Sequence, residues 1–358
     1  MTYFIHKKHK KHNGHVTIHL PLSQRHNLEL TLRNVIDLYK KIGVFMLYMF
    51  PGQGSQKVGM GKDLYDTFQT ARDIFNEVDD AISFKLSDII FNGDDKELTA
   101  TENAQPAIMC VSYAFLKCLE KEFNIQTNDK IKFFAGHSLG EYTALCASGA
   151  IDLRSAAKTL RIRGVAMANA CPTGGAMAAI IGLTTETLEE IISSSNFSDS
   201  KVQIANDNCV GQIVISGHES AVKLVVEKSL EANARTAVML DVSGPFHSEL
   251  MAEAIEPLTN ALNTIEIKQP SKPIIANVTA SAETENFKAL LIKQITNRVR
   301  WRESLIYAHQ HGVTNFVEVG PGKVLSGLAK RTISNANIAN INSIESMEAF
   351  ASALHKTN

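Results

Sequence analysis

The stretch KFFAGHSLGEYTAL, residues 132–145, carries a serine between Gly136 and Gly140, after an apolar run and before a helix-like pattern. This arrangement fits G-x-S-x-G, in which the glycines allow a tight turn from a strand into a helix and leave the serine hydroxyl exposed above a sheet. The backbone N–H of Leu139, at the start of that helix, would point at a developing oxyanion. A serine that only caps the helix is the alternative. The strand before and the helix after favour Ser138 as a nucleophile.

Strand-like and helix-like runs alternate around this turn. The strand-like runs are FMLYMF (45–50), IKFFA (131–135), IIANV (274–278) and NFVEV (315–319). Helix-like patterns cover 63–81, 106–122, 139–148, 153–170, 248–264 and 286–296, and a final helix follows GPGK (320–323). Strands that alternate with helices form a parallel sheet covered on both faces. The predicted fold class is therefore α/β, with a large domain like that of the α/β-hydrolases.

Residues 176–241 break this alternation. Strand-like and helix-like runs follow one another there in the order β-α-β-β-α-β, from AMAAIIGL to RTAVMLD. This order is that of a ferredoxin-like unit. We therefore expect a small ferredoxin-like domain at 175–241, inserted into a large catalytic domain that is formed by 46–174 and 242–358.

The first 45 residues differ from the rest of the chain. Their segment HKKHKKHNGHVTIHLPLSQRH is rich in lysine and histidine and poor in glycine and alanine. It lacks the apolar region and the small-residue cleavage site of a secretory signal. Its histidines are irregularly spaced, which favours a basic tail over a metal site. Residues 1–45 are therefore expected to be a disordered tail, or to precede a true start at Met46.

Composition and charge exclude several classes of function. Of the 358 residues, 44% are hydrophobic and 20% are charged, as is usual for a soluble globular protein. The formal net charge of -1 gives no overall field that attracts nucleic acid or an anionic membrane. The five cysteines form no C-x-x-C pair, which fits a reducing cytoplasm and no metal site. No apolar run is long enough to span a bilayer. Because the net charge is also close to zero, neither nucleic acid nor a membrane is an expected partner.

A serine nucleophile needs a general base, and the C-terminal half of the chain offers His218, His247, His309, His311 and His355. His218 lies at a predicted helix N-terminus, where the helix dipole disfavours the imidazolium form. His247 follows the rigid turn VSGP, where the chain re-enters the large domain, and is the best base on sequence alone. A buried packing histidine is the alternative at that position. Asp241 is a candidate acid for a full triad, but nothing singles it out.

Seven sequence blocks occur in an order that indicates a family. They are FPGQGSQ (50–56), GHSLGE (136–141), IRGVAM (162–167), GAMAAIIGL (175–183), GQIVISG (211–217), SGPFHS (243–248) and VEVGPGKVLSGL (317–328). Together they closely resemble the malonyl-CoA:acyl-carrier-protein transacylases of bacterial fatty acid synthesis, within the acyltransferase family. The resemblance runs from about residue 46 to the C-terminus and leaves out the tail. Val210 departs from the pattern, since the family often has proline in that turn.

The resemblance implies roles for five positions. Ser138 is implied as the acylated nucleophile and His247 as its base, in a dyad rather than a full triad. The backbone carbonyl of Gln294 is implied to orient the histidine by accepting its Nδ1–H, so the side chain of Gln294 is expected to matter little. The backbone N–H groups of Gln53 and Leu139 are implied to form the oxyanion hole.

The family also implies how the substrate is selected. A planar guanidinium can hold the free carboxylate of a malonyl group with two parallel hydrogen bonds. Arg154, Arg161 and Arg163 share one predicted helix, and periodicity alone does not choose among them. The Arg-Gly pair of the family selects Arg163. Phe246, directly before the base, is implied to favour malonyl over methylmalonyl groups.

The activity that the resemblance implies is a two-step transfer. Malonyl passes from malonyl-CoA to Ser138, and then to the phosphopantetheine thiol of holo acyl carrier protein for fatty acid elongation. The resemblance implies a cytoplasmic monomer that uses no metal or other cofactor. Three alternatives remain open: a discrete acyltransferase that serves a polyketide synthase, a serine thioesterase or other hydrolase, and a catalytically silent acyl-binding protein.

Overall fold

The computed structural model describes residues 45–125, 129–197 and 200–356. Its strands are β1 Phe45–Phe50, β2 Ile131–Gly136, β3 Gly175–Ile181, β4 Val202–Cys209, β5 Gln212–His218, β6 Thr236–Met239, β7 Ile274–Ile275, β8 Ala282–Glu283, β9 Val313–Val319 and β10 Asn337–Ile341. Six of them form one sheet in the order β10-β9-β1-β2-β7-β8. All neighbouring pairs in it are parallel except β7 with the short edge strand β8. The predicted α/β class with a mainly parallel sheet is confirmed.

Helices lie on both faces of this sheet. In chain order the α-helices of the described residues are α1 Lys62–Thr67, α2 Gln69–Ile82, α3 Leu86–Asn92, α4 Asp95–Thr99, α5 Thr101–Lys121, α6 Gly140–Ala147, α7 Leu153–Ala170, α8 Thr185–Ser194, α9 Glu219–Glu231, α10 Ile255–Asn263, α11 Phe287–Gln294, α12 Trp301–Gln310, α13 Val324–Thr332 and α14 Ile344–Lys356. Of these, α8 and α9 belong to the second sheet described below. A 3₁₀ helix, Glu249–Ala254, leads directly into α10.

Strand β1 shows why an unbroken apolar run occupies the centre of the sheet. Successive side chains of a strand point to opposite faces. Tyr48 and Phe50 pack in the larger core, which includes side chains of α5 and α7. Leu47 and Met49 pack on the other face, in a core that includes side chains of α12 and α13. Because helices cover both faces, every residue from 46 to 50 is buried.

The same strand brings two loops of the sequence together. Strands β1 and β2 are parallel neighbours, and Phe50 pairs with Gly136 at their carboxyl ends. The loop that begins at Pro51 and the turn around Ser138 therefore leave the sheet side by side. Ligands of open parallel sheets bind at this kind of edge, outside the carboxyl ends of the strands.

The second sheet is antiparallel, with the strand order β4-β5-β3-β6. Its strands and the helices α8 and α9 follow the predicted order β-α-β-β-α-β. It has an apolar core of its own, which includes Ile180, Ile213 and Ile215. Strand β4 also bridges to Val299, outside this unit. Residues from Phe45 onward cluster as one compact unit, so the domain limits at 175 and 241 stay predictions.

Several predictions of local structure are wrong in detail. The helix predicted over 63–81 is two helices, because the backbone is extended at Phe68, with φ −111° and ψ 132°. The run IIANV forms a ladder only at Ile274–Ile275. The helix α13 is not the last element, since β10 and α14 follow it. In β10 only Ile341 is buried, so its sequence NIANI lacks the apolar signal of a central strand. The predicted basic tail lies outside the described residues except for Phe45.

Candidate active site

Two glycines shape the turn that presents Ser138. Strand β2 ends at Gly136 and helix α6 begins at Gly140, as the pattern G-x-S-x-G predicts. A Cβ atom on Gly136 would lie 1.9 Å from the carbonyl carbon of Gly140. A Cβ atom on Gly140 would lie 2.3 Å from the carbonyl oxygen of Phe50. Ser138 itself has a φ of 53°, in the left-handed region that side chains disfavour. The turn is therefore as tight and as strained as a nucleophile elbow requires.

His247 meets this serine directly. The Oγ of Ser138 lies 2.8 Å from Nε2 of His247, and Nδ1 of His247 lies 2.9 Å from the backbone carbonyl oxygen of Gln294. Since a carbonyl can only accept, Nδ1 carries the proton and Nε2 is free to accept the serine hydroxyl. Burial lowers the pKa of His247 to about 3, and the charge of Arg163 acts in the same direction. The imidazole is thus neutral at physiological pH, as a general base must be.

The other candidate bases lie elsewhere. His218 accepts the backbone N–H of Lys201, and the Nδ1 atoms of His309 and His311 lie near backbone carbonyl oxygens. The side chain of His355 lies outside the described residues. The Nδ1 of His247 is already engaged by a backbone carbonyl, so Asp241 does not orient this ring. The arrangement is the predicted dyad rather than a triad.

Arg163 is the arginine of helix α7 that reaches the serine. Its side chain is 1% exposed, and its Nη2 donates to Oγ of Ser138 at 3.1 Å and to Oε1 of Gln294 at 2.9 Å. Its Nη1 donates to Oε1 of Gln105 at 2.6 Å. No carboxylate of the described residues forms an ion pair with it. A buried guanidinium without a paired anion beside the nucleophile is suited to the carboxylate of a bound substrate.

The competing arginines of α7 have other partners. Arg154 pairs with Glu77 at 3.5 Å, where both side chains are exposed. Arg161 donates to the backbone carbonyl of Glu102 at 2.9 Å. Gly164 explains the Arg-Gly pair, because a Cβ atom there would lie 2.5 Å from the Cα atom of Glu102 at the start of α5. The glycine lets the two helices approach, and the preceding arginine is thereby held against the site.

Two residues of the cleft have backbone N–H groups that no other described residue accepts. Gln53 and Leu139 line the same cleft as Ser138, and neither backbone N–H donates a hydrogen bond to another described residue. The N–H of Ser138 is different, since it donates to Oδ1 of Asn277 at 2.7 Å. The Nε2 of Gln53 donates to Oγ1 of Thr101 at 3.2 Å, which ties the first loop to α5. The free N–H groups can therefore serve as the two donors of an oxyanion hole.

The cleft above the dyad has a volume of about 370 Å³. Phe246 lines it together with Met167, Met177 and Val214, so the cavity wall beside the base is largely apolar. Phe246 is 7% exposed. Its ring is thus placed to limit the size of an acyl group, and the predicted preference for malonyl over methylmalonyl stays a prediction.

The side chain of Gln294, which was expected to matter little, is hydrogen-bonded to two buried charged groups. Its Oε1 accepts a hydrogen bond from Arg163, and its Nε2 donates to Oε2 of Glu141 at 2.9 Å. Sequence analysis also missed Gln105, Asn277 and Glu141 as neighbours of the site. Glu141 stands within the quoted block GHSLGE, and Asn277 is the fourth residue of the run IIANV, but their burial depends on helix packing that no local pattern reveals.

The chain is similar to known proteins over most of its length. Residues 47–354 match the family model of the acyl transferase domain. A malonyl CoA-acyl carrier protein transacylase of Bacillus subtilis (strain 168) is 45% identical over 314 residues, which are 87% of this chain and 98% of that protein. The crystal structure of an acyl-carrier-protein S-malonyltransferase from Bartonella henselae superposes with a TM-score of 0.84 at 47% identity, covering 87% of this chain and 99% of that one.

A third relative is known in a complex. It is a malonyl-transacylase bound to its type II polyketide synthase acyl-carrier protein, with a TM-score of 0.82, 34% identity and coverage of 86% of this chain and 99% of that one. The matches span nearly the whole length of these relatives, and the family model leaves out residues 1–46 and 355–358 of this chain. The chain therefore belongs to the acyl transferase family, in which its similar relatives are malonyl transacylases.

Proposed function

We propose that the chain transfers a malonyl group from malonyl-CoA to the phosphopantetheine thiol of holo acyl carrier protein, through a malonyl ester of Ser138. One observation carries the proposal. The Oγ of Ser138 lies between a neutral base and a buried guanidinium, 2.8 Å from Nε2 of His247 and 3.1 Å from Nη2 of Arg163. This arrangement supplies a nucleophile together with a charge for a substrate that carries its own carboxylate.

The first half-reaction loads the enzyme. Nε2 of His247 takes the hydroxyl proton while Oγ of Ser138 attacks the thioester carbonyl carbon. The negative charge that develops on the carbonyl oxygen is stabilised by the N–H groups of Gln53 and Leu139. When the tetrahedral intermediate collapses, the carbon–sulfur bond breaks and the CoA sulfur takes the proton from the imidazolium.

The second half-reaction runs the same steps with a different thiol. The carrier-protein thiol gives its proton to Nε2 of His247 and attacks the malonyl ester carbonyl. The ester carbon–oxygen bond then breaks, and Oγ of Ser138 recovers the proton. Both steps use only side chains and backbone groups of this chain, so the proposed reaction needs no metal or other cofactor.

Arg163 explains in this scheme why the acyl group is malonyl. Its guanidinium can form two parallel hydrogen bonds to the free carboxylate of malonyl, which acetyl lacks. With acetyl in the cleft, the buried charge would stay without an anion, which is unfavourable. Phe246 is proposed to add a second selection, against the extra methyl group of methylmalonyl.

The names of the relatives support a carrier protein as acceptor, and they leave two kinds of carrier. The Bacillus subtilis relative is named a malonyl CoA-acyl carrier protein transacylase, whereas the structure of the complex contains a carrier protein of a type II polyketide synthase. We favour fatty acid elongation, with a discrete acyltransferase for polyketide synthesis as the alternative.

Among the described residues, no helix is long and apolar enough to cross a membrane. A cytoplasmic monomer is proposed.

Intact-protein mass tests the proposal. Wild type is mixed with malonyl-CoA or acetyl-CoA, and Ser138→Ala is treated in parallel. The expected result is a malonyl adduct on wild type alone, which disappears when holo acyl carrier protein is added. Steady release of free malonate without a carrier would instead indicate a hydrolase, and neither adduct nor turnover would indicate a silent acyl-binding protein. The rates at which carrier proteins of fatty acid and of polyketide synthesis remove the adduct decide between those two pathways.

A further inference from the structure

Glu141 is a buried carboxylate that the transfer chemistry does not use. It lies three residues after Ser138, in the first turn of α6, and its side chain is 0% exposed. No lysine, arginine or histidine of the described residues forms an ion pair with it. Burial of a carboxylate away from water and without a paired cation is costly, so it calls for a role.

The hydrogen bonds of Glu141 lead to the active site by two routes. Its Oε2 accepts Nε2–H of Gln294 at 2.9 Å and the backbone N–H of Asn277 at 2.9 Å. Gln294 in turn accepts from Arg163, and the side chain of Asn277 accepts the backbone N–H of Ser138 at 2.7 Å. Each route therefore ends on a group that the proposed reaction needs.

The first route has a fixed direction. An ionised carboxylate can only accept hydrogen bonds, and a guanidinium can only donate them. Gln294 stands between the two, so its amide nitrogen must face Glu141 and its amide oxygen must face Arg163. With a neutral amide at position 141 the side chain of Gln294 can turn over. The amide nitrogen of Gln294 would then face the guanidinium. Since both groups are hydrogen-bond donors, they would repel, and Arg163 would move away from Ser138.

The second route holds the strained turn. The Nδ2 of Asn277 donates to the carbonyl oxygen of Gly136 at 2.7 Å, while its Oδ1 accepts the N–H of Ser138. Gly136 and Ser138 are thus both bound to the side chain of Asn277, and Glu141 accepts the backbone N–H of the same asparagine. A left-handed residue persists only where its surroundings hold it there.

We propose that Glu141 is a positioning residue of the acyl transfer, which orients Gln294 and Asn277 and through them places Arg163 and the Ser138 turn. The inference rests on the proposed function for its choice of substrate. The charged or titratable groups that act on Glu141 are Arg163 from α7 and Glu283 from β8, with Tyr142 beside it on α6. Burial raises the pKa of Glu141 to about 7, and the hydrogen bonds from Asn277 and Gln294 oppose that rise.

The test compares malonyl and acetyl loading of Ser138, by intact mass, in wild type, Glu141→Gln, Gln294→Leu and the double variant. Glu141→Gln is expected to lower the ratio of malonyl to acetyl loading rates by about tenfold, because malonyl has a carboxylate for Arg163 to bind and acetyl has none. In the double variant the ratio should equal that of Gln294→Leu, since Glu141 acts on Arg163 through that amide. An unchanged ratio in Glu141→Gln, or a second full drop in the double variant, would overturn the proposal.

Glu318 supplies a matched control. It is also 0% exposed, and its carboxylate accepts the backbone N–H groups of Leu325 at 3.0 Å and Ser326 at 2.7 Å. Glu318→Gln should keep the wild-type ratio even if it unfolds more easily, and an equal drop there would mean that Glu141 acts only through stability. If Glu141→Gln does not fold, Gln294→Leu alone must lower the ratio, and an unchanged ratio refutes the inference.

A separate readout keeps this inference distinct from the proposed function. Wild type that takes no malonyl from malonyl-CoA would count against the proposed function. Labelling of Ser138 by a fluorophosphonate needs no malonyl carboxylate, and it still reports the turn and its base. Glu141→Gln should then label about threefold more slowly than wild type and Glu318→Gln. Equal labelling of all three proteins would refute the role of Glu141.

Discussion

Ser138 and His247 touch at 2.8 Å, and both have left-handed backbones, with φ of 53° and 57°. Such a conformation costs a non-glycine residue about 1–2 kcal/mol. Both residues are held by side chains from elsewhere in the chain. Asn277 accepts the N–H of Ser138, and Nε2 of Gln203, on β4 of the second sheet, donates to the carbonyl oxygen of His247 at 3.2 Å. The dyad is therefore assembled against local preference, by contacts that converge from distant parts of the chain.

Strain at the nucleophile predicts an unusual order of stability. Ser138→Gly should be more stable than Ser138→Ala by about 1 kcal/mol, because glycine adopts a positive φ without a Cβ clash. Urea unfolding of the two inactive variants measures the difference. At Ser155, in α7, the same pair of replacements should give the opposite order, with glycine less stable by about 0.5–1 kcal/mol. The same order at both sites would argue against strain at Ser138.

Close packing predicts that the turn tolerates no side chain at Gly136. Gly136→Ala would place a Cβ atom 1.9 Å from Gly140, which forces the strand and helix apart. We expect little soluble protein, or a folded protein in which a fluorophosphonate labels Ser138 at least tenfold more slowly, as a loss of about 1.4 kcal/mol implies.

Gly327, in α13, is the control for that change. A Cβ atom there would have no heavy atom within 4 Å apart from its chain neighbours and the backbone of its own helix. Gly327→Ala should raise stability by about 0.5–1 kcal/mol, since alanine is the better helix former. Labelling of Ser138 at the wild-type rate in Gly136→Ala would show that the turn can open without loss of the dyad.

The sequence predicted those parts of the site that local patterns or family blocks carry. The glycines around Ser138 mark a strand–turn–helix junction, and the block SGPFHS carries His247. Arg163 could be chosen from its neighbours only through the family, because helical periodicity does not say which arginine is buried. Glu141 was overlooked for the same reason, since a glutamate in the first turn of a helix is usually solvated. The side chain of Gln294 contacts partners on α6 and α7, which only the packed structure brings together.

The proposed contact of Arg163 with the malonyl carboxylate predicts that its removal slows loading of malonyl far more than loading of acetyl. Arg163→Ala should lower malonyl loading by about 100-fold or more, because it removes a charge-assisted contact to the carboxylate in a buried site. Acetyl loading should fall much less, since acetyl has no carboxylate. Arg161→Ala, on the same helix, should leave both rates near those of wild type. If malonyl and acetyl loading fall together in Arg163→Ala, the guanidinium acts on Ser138 and not on the substrate.

The dependence of loading on pH should separate the base from Glu141. His247 has its pKa lowered to about 3 by burial, so its protonation does not limit the reaction above pH 5. Burial raises the pKa of Glu141 to about 7, and malonyl loading by wild type should therefore decline several-fold as pH falls from 8 to 6. Glu141→Gln should load slowly at every pH in this range, without that decline. A decline that survives in Glu141→Gln would belong to another group.

The carboxyl of Glu141 should affect stability in the opposite direction to its effect on loading. Folded Glu141 titrates near pH 7, above its ordinary pKa of 4.5, so between these values the folded chain binds the extra proton. Stability then rises as pH falls through this window, and the ionised form that loading requires is the less stable one. His247 acts in the opposite direction, because its pKa is lowered from 6.5 and folding opposes its protonation. The difference in urea unfolding free energy between wild type and Glu141→Gln cancels the histidine, which both share. That difference should favour wild type increasingly from pH 8 to pH 5, and a constant difference would show that Glu141 does not titrate there.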